Sequence, residues 1–542
     1  MKIKNLWISK YRNIENIDFQ FNPNKLIVLL VGQNGLGKSN LIEILAKIFK
    51  LLHEFDKEDE LASWITKSDN FEFKITYQTR GNEVQFHCLQ NGIVIQQRGE
   101  RSKANHKTLS LREFKADRID FYLPKYIIGY YSGENKRIRK ILREFEEREW
   151  GILKSNKHST EYLRPVFFLE SHHAQFILAT FLLLKDEELR KRIKALLGNY
   201  LSIEAFTKLS ISFRSPAWNY GEIDKEKALE HSKTTGKSVN RGVNNLFANL
   251  ENKEVEFPFW DSKGKLNQLF RFLLSVNEGL PGFDDNWDDP QRRSKKQYAE
   301  YLYFNNLPLN DLAGRLEKEF GNPYNFLQSL EATLITGVLD EIKVEVRKRD
   351  IIDLVEFTEL SEGEQQLLTV LGIILLVGHE DCLFLLDEPD THLNPKWQRH
   401  YVELVDKFNL NNKNSHIFIA THSPLIVQAA DERADILLFN RDNANKVQVD
   451  YHKFEITNWR IDHVLLSKYF DLESTRRIDL DGFIKKRNKI IAKGKLTKKD
   501  KAQLKKQEDK IGYLPTGETI AELQSLLHIK QMAEKLSDDK DQ

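Results

Sequence analysis

The chain has 542 residues, too many for one ordinary domain, so more than one core is expected. Its 82 Lys+Arg against 80 Asp+Glu leave a net charge of +2, which excludes a globally basic nucleic-acid binder and leaves local patches open. Hydrophobic residues at 40% exclude a mainly disordered chain, and two cysteines, Cys88 and Cys382, exclude a disulfide framework and point to a reducing cytoplasm.

The amino terminus lacks the apolar stretch of about 7 to 15 residues that a signal peptide needs. No run approaches the ~18 apolar residues of a membrane span, so no membrane is expected. In chain order, Leu6 to Phe21 reads as strand, and Lys25 to Val31 as a continuous apolar strand buried on both faces. The second strand runs into Gly32-Gln33-Asn34-Gly35-Leu36-Gly37-Lys38-Ser39-Asn40, after which Leu41, Ile42, Leu45, Ile48, Phe49 and Leu52 recur at helical spacing. Strand, glycine loop and helix carrying G-x-x-x-x-G-K-S is the context of a P-loop. Backbone N–H groups at the helix start can wrap a β-phosphate, and Lys38 can bridge the β- and γ-phosphates. The Ser39 hydroxyl can ligate Mg²⁺, so ATP and Mg²⁺ are the expected cofactors.

Phe71 to Gln97 reads as a β region punctuated by Arg80-Gly81 and Asn91-Gly92. From 138 to 345 the pattern is mostly helical, with apolar periodicity at 172–186 and 188–201 and a polar surface loop over Gly279–Lys296. His172 and His173, beside Gln175 and Phe176, read as packing or capping groups of an apolar helix, with metal binding as the alternative. Strand-like Ile342–Val346 and Ile351–Phe357 precede a helix (364–377), a strand (382–386), a helix (396–408) and a strand (416–420). That alternation implies an α/β layer structure. The run from Cys382 ends in Asp387-Glu388, where Asp387 suits the Mg²⁺ shell and Glu388 suits polarising an attacking water. The run from Ile417 delivers His422 to the C-terminal end of another buried strand, where open α/β sheets bind ligands, as a γ-phosphate sensor.

Leu360-Ser361-Glu362-Gly363-Glu364-Gln365 resembles the signature of ABC-type ATPases, in the branch holding RecF, RecN, the SMC proteins and OLD-family nucleases. It departs from the Leu-Ser-Gly-Gly-Gln form. The resemblance implies an ABC-type head, a P-loop sheet with helices plus an antiparallel β subdomain, interrupted by a large mostly helical insertion. It also implies a head-to-tail homodimer, in which Ser361, Glu362, the Gly363 amide, Glu364 and Gln365 face the nucleotide of the opposite protomer. Lys10-Tyr11-Arg12-Asn13-Ile14 is similar to a RecF segment that would place Arg12 at the nucleotide; a charged β turn is the other reading. Asp390-Thr-His392-Leu-Asn-Pro395 resembles the loop after the second Walker motif, with Asp390 at the dimer interface and His392 beside the signature. No glutamine for Mg²⁺ stands in Tyr130–Asn135, where the family carries one. Sustained SMC heptads and OLD-type Toprim acids are lacking, Asp479-Leu-Asp481 being such a pair by spelling only, so no nuclease site is expected.

Tyr126–Asn135, Arg164–Ile177 and Trp459–Leu472 resemble restriction-system-associated ATPases, the group with PtuA of Septu anti-phage systems and PtuA-type retron effectors; the resemblance spans roughly 1–475. It implies an ATPase subunit gating a separately encoded HNH nuclease of the PtuB kind and, in retrons, a reverse transcriptase with RNA-linked DNA. A RecF-like repair ATPase and an ATP-clamped scaffold with little turnover are the competing readings. The expected domains are 1–137 (first half of the head), 138–345 (insertion), 346–475 (second half) and 476–542 (basic helical region). Between Lys485 and Lys510 twelve Lys/Arg oppose three acids, a local +9. This reads as a solvated helical hairpin or as a contact for nucleic acid or an acidic partner through Lys485, Lys486, Arg487, Lys489, Lys498 and Lys499.

Overall fold

A computed structural model describes residues 1–55, 60, 64, 71–90, 92–99, 107–133, 137–141, 166–182, 184, 186–214, 259–260, 262, 264–279, 281–285, 300–305, 307, 312–378, 380–409, 414–451, 456, 459–470, 472, 474–475, 478–493, 496–511 and 523–529. The chain divides into two compact units, Met1–Glu455 and Ile456–Gln542. Among the described residues no helix is long and apolar enough to cross a membrane.

In the first unit, β1 (Lys2–Tyr11) and β2 (Ile14–Gln20) form a hairpin, so the single run expected over Leu6–Phe21 folds back on itself. The turn is made by Arg12 at φ 53. β3 (Ile27–Gly32) is buried at every position and leads into α1 (Lys38–Glu54). β4 (Phe73–Thr79), β5 (Asn82–Leu89), β6 (Gly92–Gly99) and β7 (Lys107–Leu109) form an antiparallel meander. The tight turn at Arg80-Gly81 has both residues at positive φ, as a two-residue hairpin requires. A short α2 (Leu111–Asp117) precedes β8 (Tyr126–Tyr131) and β9 (Val166–Leu169).

Next come α3 (His173–Leu182), α4 (Glu187–Tyr200), β10 (Ile203–Arg214), α5 (Gly264–Val276), β11 (Gly282–Asp285), β12 (Glu300–Phe304), α6 (Leu312–Phe320), α7 (Pro323–Ile335) and β13 (Leu339–Lys348). The described part of 138–345 therefore carries strands as well as helices. β9 extends the central sheet, and β11–β13 with β10 build an antiparallel sheet closed by β14 (Val355–Glu356). Only two residues of Ile351–Phe357 are in that strand, because the preceding stretch lies at the surface, with Ile352 fully exposed. Within Gly279–Lys296, residues 282–285 pair with β12 instead of looping, and 286–296 lie outside the described residues.

The unit closes with α8 (Glu362–Val377), β15 (Cys382–Asp387), α9 (Pro395–Phe408), β16 (His416–Ala420), α10 (Pro424–Ala430), β17 (Ala434–Arg441) and β18 (Val447–Tyr451). Three sheets result: β2-β1-β4-β5-β6-β7, β11-β12-β10-β13-β14, and a seven-stranded sheet β18-β17-β3-β16-β15-β8-β9. The last is parallel except for β18. One continuous core joins α1 to side chains of both the first and the seven-stranded sheet, including Leu45, Phe49, Phe73, Phe86, Leu385 and Phe418. This is the expected α/β head, a P-loop sheet backed by an antiparallel β subdomain. Cys88 and Cys382 are buried free thiols.

The second unit holds α11 (Ile461–Leu465), α12 (Asp481–Lys493) and α13 (Lys498–Ile511). Leu480, Phe483, Ile484, Ile490, Leu504, Leu523 and Leu527 form its small core. It begins at 456, ahead of the expected boundary at 476.

Candidate functional site

The parallel register brings the sequence motifs to one edge of the central sheet. Asp387 of β15 stands level with Ala420 of β16, and Ala420 with Leu30 of β3, so the P-loop, the acid pair and His422 leave three adjacent strands side by side. The loop geometry needs glycine. Gly32 has φ 143, and a Cβ there would meet the Phe439 carbonyl at 2.4 Å; Gly37, at φ 106, is the left-handed cap of α1. No side chain caps that helix and its first turn has no acid, so its amides face outward for an anion. Asn13 donates to the Gly35 carbonyl (2.7 Å) and accepts from Asn40 (2.6 Å), tying the loop to the β1–β2 turn.

Lys38 folds back on its own loop, its Nζ donating to the Gly32 (2.8 Å) and Gln33 (3.1 Å) carbonyls. Burial lowers its pKa to about 8, against the pull of Asp387 and Glu388. The Ser39 hydroxyl donates to Asp387 Oδ1 at 3.1 Å across 348 positions of chain. Burial pushes the Asp387 carboxyl up to about 7, the Ser39 hydrogen bond opposing and Glu388 adding to the rise. A buried carboxylate beside a hydroxyl at the positive end of a helix is a hard-oxygen donor pair, which fits Mg²⁺. Glu388 takes the left-handed φ of 51, and its amide donates to the Ala420 carbonyl at 2.9 Å. Its carboxylate stands 3.8 Å from His422 Nε2, and both side chains are partly exposed. Burial first, then Lys38, lowers His422 to about 4, so the ring is neutral at ordinary pH.

Ser361 caps α8 in a capping box with Glu364: the Glu364 amide donates to Ser361 Oγ (3.4 Å), and the Ser361 amide donates to Glu364 Oε2 (3.0 Å). Lys348 holds the same carboxylate. Gln365 donates to the Leu360 carbonyl at 2.8 Å. Glu362 pairs with His392 at 2.9 Å, and a Cβ on Gly363 would meet the His392 carbonyl at 2.5 Å, so His392 does lie beside the signature within one chain.

Asp390 is buried: it accepts from Thr421 at 2.9 Å, and burial raises its pKa to about 6. Arg12 is directed along α1, its Nη1 donating to Asn40 Oδ1 and Glu43 Oε1, both at 3.1 Å. Glu43, only 1% exposed, also accepts from Tyr11 at 2.9 Å and pairs with Arg137 at 3.4 Å. Sequence reasoning passed over Glu43 and Gln366. Gln366 accepts from the His392 amide (3.1 Å), approaches the Glu388 carbonyl (3.5 Å) and bonds Tyr130, linking α8 to the C-terminal ends of β8 and β15. Its place directly after the signature was the available clue. Ser132, in the run expected to supply a glutamine, shares a 2.8 Å hydrogen bond with Thr391; 134–135 lie outside the described residues. In the second unit Lys485, Lys489, Lys498 and Lys499 are exposed, and Lys486 bonds Gln503 between the two helices. Arg487 is only 9% exposed and turned inward, so it cannot serve as an open contact.

Over residues 27–428 the chain matches the family described as "AAA domain, putative AbiEii toxin, Type IV TA system". The chain belongs to that family. It is 19% identical over 455 residues to the "Retron Vc95 probable ATPase" of Vibrio cholerae serotype O1 biovar El Tor, covering 79% of this chain and 71% of that protein. It is 26% identical over 162 residues to "DNA replication and repair protein RecF" of Latilactobacillus sakei, covering 29% of this chain and 38% of RecF. To "Septu protein PtuA" of Bacillus mycoides it is 22% identical over 214 residues, covering 38% of this chain and 29% of PtuA. The chain thus spans less than two thirds of RecF and of PtuA. With the order P-loop, signature, acid pair, the family membership makes it an ATPase of the ABC, SMC and RecF type.

Proposed function

We propose that the chain is the Mg²⁺-ATP-hydrolysing subunit of a cytoplasmic anti-phage defence complex of the retron and Septu kind, gating a separately encoded HNH nuclease. The observation that carries the ATPase half is the convergence of two pairs, Ser39–Asp387 at 3.1 Å and His422–Glu388 at 3.8 Å, beside an open helix N-terminus. Bound at Ser39 and Asp387, Mg²⁺ would supply charge neutralisation to the β- and γ-phosphates. Lys38 exchanges its two loop carbonyls for phosphate oxygens, and the buried site strengthens that contact. Glu388 orients the attacking water and takes its proton, and neutral His422 holds the γ-phosphate side of the same space. The signature of a second copy, Ser361 and the Gly363 amide at the start of α8, closes the site from outside in a head-to-tail homodimer.

The defence half is supported by likeness to the retron ATPase over 71% of that protein. Partners of the HNH nuclease kind, and a reverse transcriptase with RNA-linked DNA, belong to the same proposal. Co-expressing the chain with its genomic neighbours and identifying what co-elutes tests it. A co-eluting HNH nuclease whose cutting changes when ATP is depleted supports gating. Elution without any nuclease, with no phage protection, contradicts it and favours the RecF-like repair reading.

A further inference from the structure

The cluster His172, His173 and Glu331 takes no part in the nucleotide site. Each offers one ligand atom, and these atoms all lie within 4.8 Å of one another. His173 and Glu331 are buried, with Nε2 and Oε2 2.7 Å apart across 158 positions of chain. His172 Nε2 is buried without any hydrogen-bond partner, an unsatisfied nitrogen. The two rings stand 4.1 Å apart between centroids.

The surroundings of the opposite ring nitrogens match what a metal-binding histidine needs. A ligating imidazole turns one nitrogen to the metal and donates the other N–H to an oxygen that fixes the tautomer. Glu170 offers that oxygen to His173, its backbone carbonyl 3.2 Å from Nδ1, while its Oε2 stands 3.6 Å from His172 Nδ1, within ion-pair reach but beyond a hydrogen bond. Arg139 anchors the Glu170 side chain at 2.6 Å. The metal-free tautomer of His173 is satisfied too, because the Glu170 amide donates to Nδ1 at 2.8 Å while Nε2–H donates to Glu331. Moving one proton from Nε2 to Nδ1 of His173 frees Nε2 and Glu331 as metal ligands, and exchanges the bond from the Glu170 amide for one from Nδ1–H to the Glu170 carbonyl.

We propose that His172, His173 and Glu331 form a zinc site joining the start of α3 to α7. Two imidazole nitrogens and one carboxylate select Zn²⁺ over Mg²⁺ or Ca²⁺, which prefer all-oxygen shells. Zn–ligand bonds of about 2.0–2.2 Å in a tetrahedral shell put ligand atoms roughly 3.4 Å apart, so His173 Nε2 and Glu331 Oε2, now at 2.7 Å, part slightly while His172 closes in, leaving a fourth position for water. The site ties two helices that pack on α8: a Cβ on Gly372 of α8 would meet Ile177 of α3 at 2.5 Å. Zinc there clamps the bed on which the signature helix lies.

The test uses the full chain, stripped with EDTA and returned to metal-free buffer without nucleotide, then titrated with Zn²⁺ by calorimetry and with Co²⁺ by visible absorption. The wild type is expected to take up about one Zn²⁺, with a Co²⁺ spectrum of nitrogen-containing low coordination. H172Q and E331Q are expected to bind about 100-fold more weakly or worse. H172Q takes away the ring nitrogen that has no hydrogen-bond partner and leaves the Glu170–Arg139 pair in place, so added Zn²⁺ should raise the wild-type melting midpoint and leave that of H172Q unchanged. D387N separates this site from the nucleotide site and should bind Zn²⁺ as wild type does. The proposal is overturned if the wild type takes up no Zn²⁺, if H172Q binds it equally well, or if D387N abolishes binding.

Discussion

His422 is the titratable group whose surroundings say most about the chemistry. Burial and the Lys38 charge hold its folded pKa at about 4, below the unfolded 6.5. A base depressed in this way gives stability that is complete above 6.5 and is lost as pH falls from 6.5 through 4. Cooling of the melting midpoint between about pH 7 and pH 5 should therefore be larger in wild type than in H422Q. ATP turnover of the wild type should show no inflection near 6.5 from this ring, and H422Q should lose about 100-fold at neutral pH while keeping the same acid limb. At this scale Lys38, Ser39, Asp387 and Glu388 were legible because their spacing along strand and loop is local. Glu43, Gln366 and the His173–Glu331 pair were not, since a buried acid or amide takes its meaning from partners remote in the chain.

The element on which the proposed head-to-tail dimer depends is α8. Its start is already occupied by its own capping box, so S361A should cost about 1 kcal/mol in denaturant unfolding and leave the proposed phosphate grip without its hydroxyl. G363A should cost roughly 1–3 kcal/mol, because its Cβ would fall 2.5 Å from the His392 carbonyl and force the loop after β15 away from the signature. Lower ATP turnover with a cooperative but earlier unfolding transition checks both. Helix and strand positions after 360 were readable because continuous apolar runs are bounded by caps such as Ser361 and Asn394. The sheet of β10–β14 was less so: the exposed Ile352 shows an apolar run leaving the strand early, and β11 forms in a polar stretch because β12 offers it a register.

For the whole molecule, near-neutral charge conceals a separate basic unit. If its exposed lysines meet nucleic acid, reversing Lys485, Lys489, Lys498 and Lys499 to Glu should flatten the slope of log affinity against log salt by roughly 3 for single strands. Unchanged binding, partner capture and phage protection would remove that role from the segment. That β3, β15 and β16 of one chain supply the hydrolytic residues is tested by steady-state phosphate release from ATP with Mg²⁺, comparing wild type with E388Q. Mg²⁺-dependent turnover is expected in the wild type, with a fall of about 100-fold or more in E388Q and ATP still bound. Negligible wild-type turnover alongside normal ATP-dependent assembly, or equal turnover in both proteins, would contradict it.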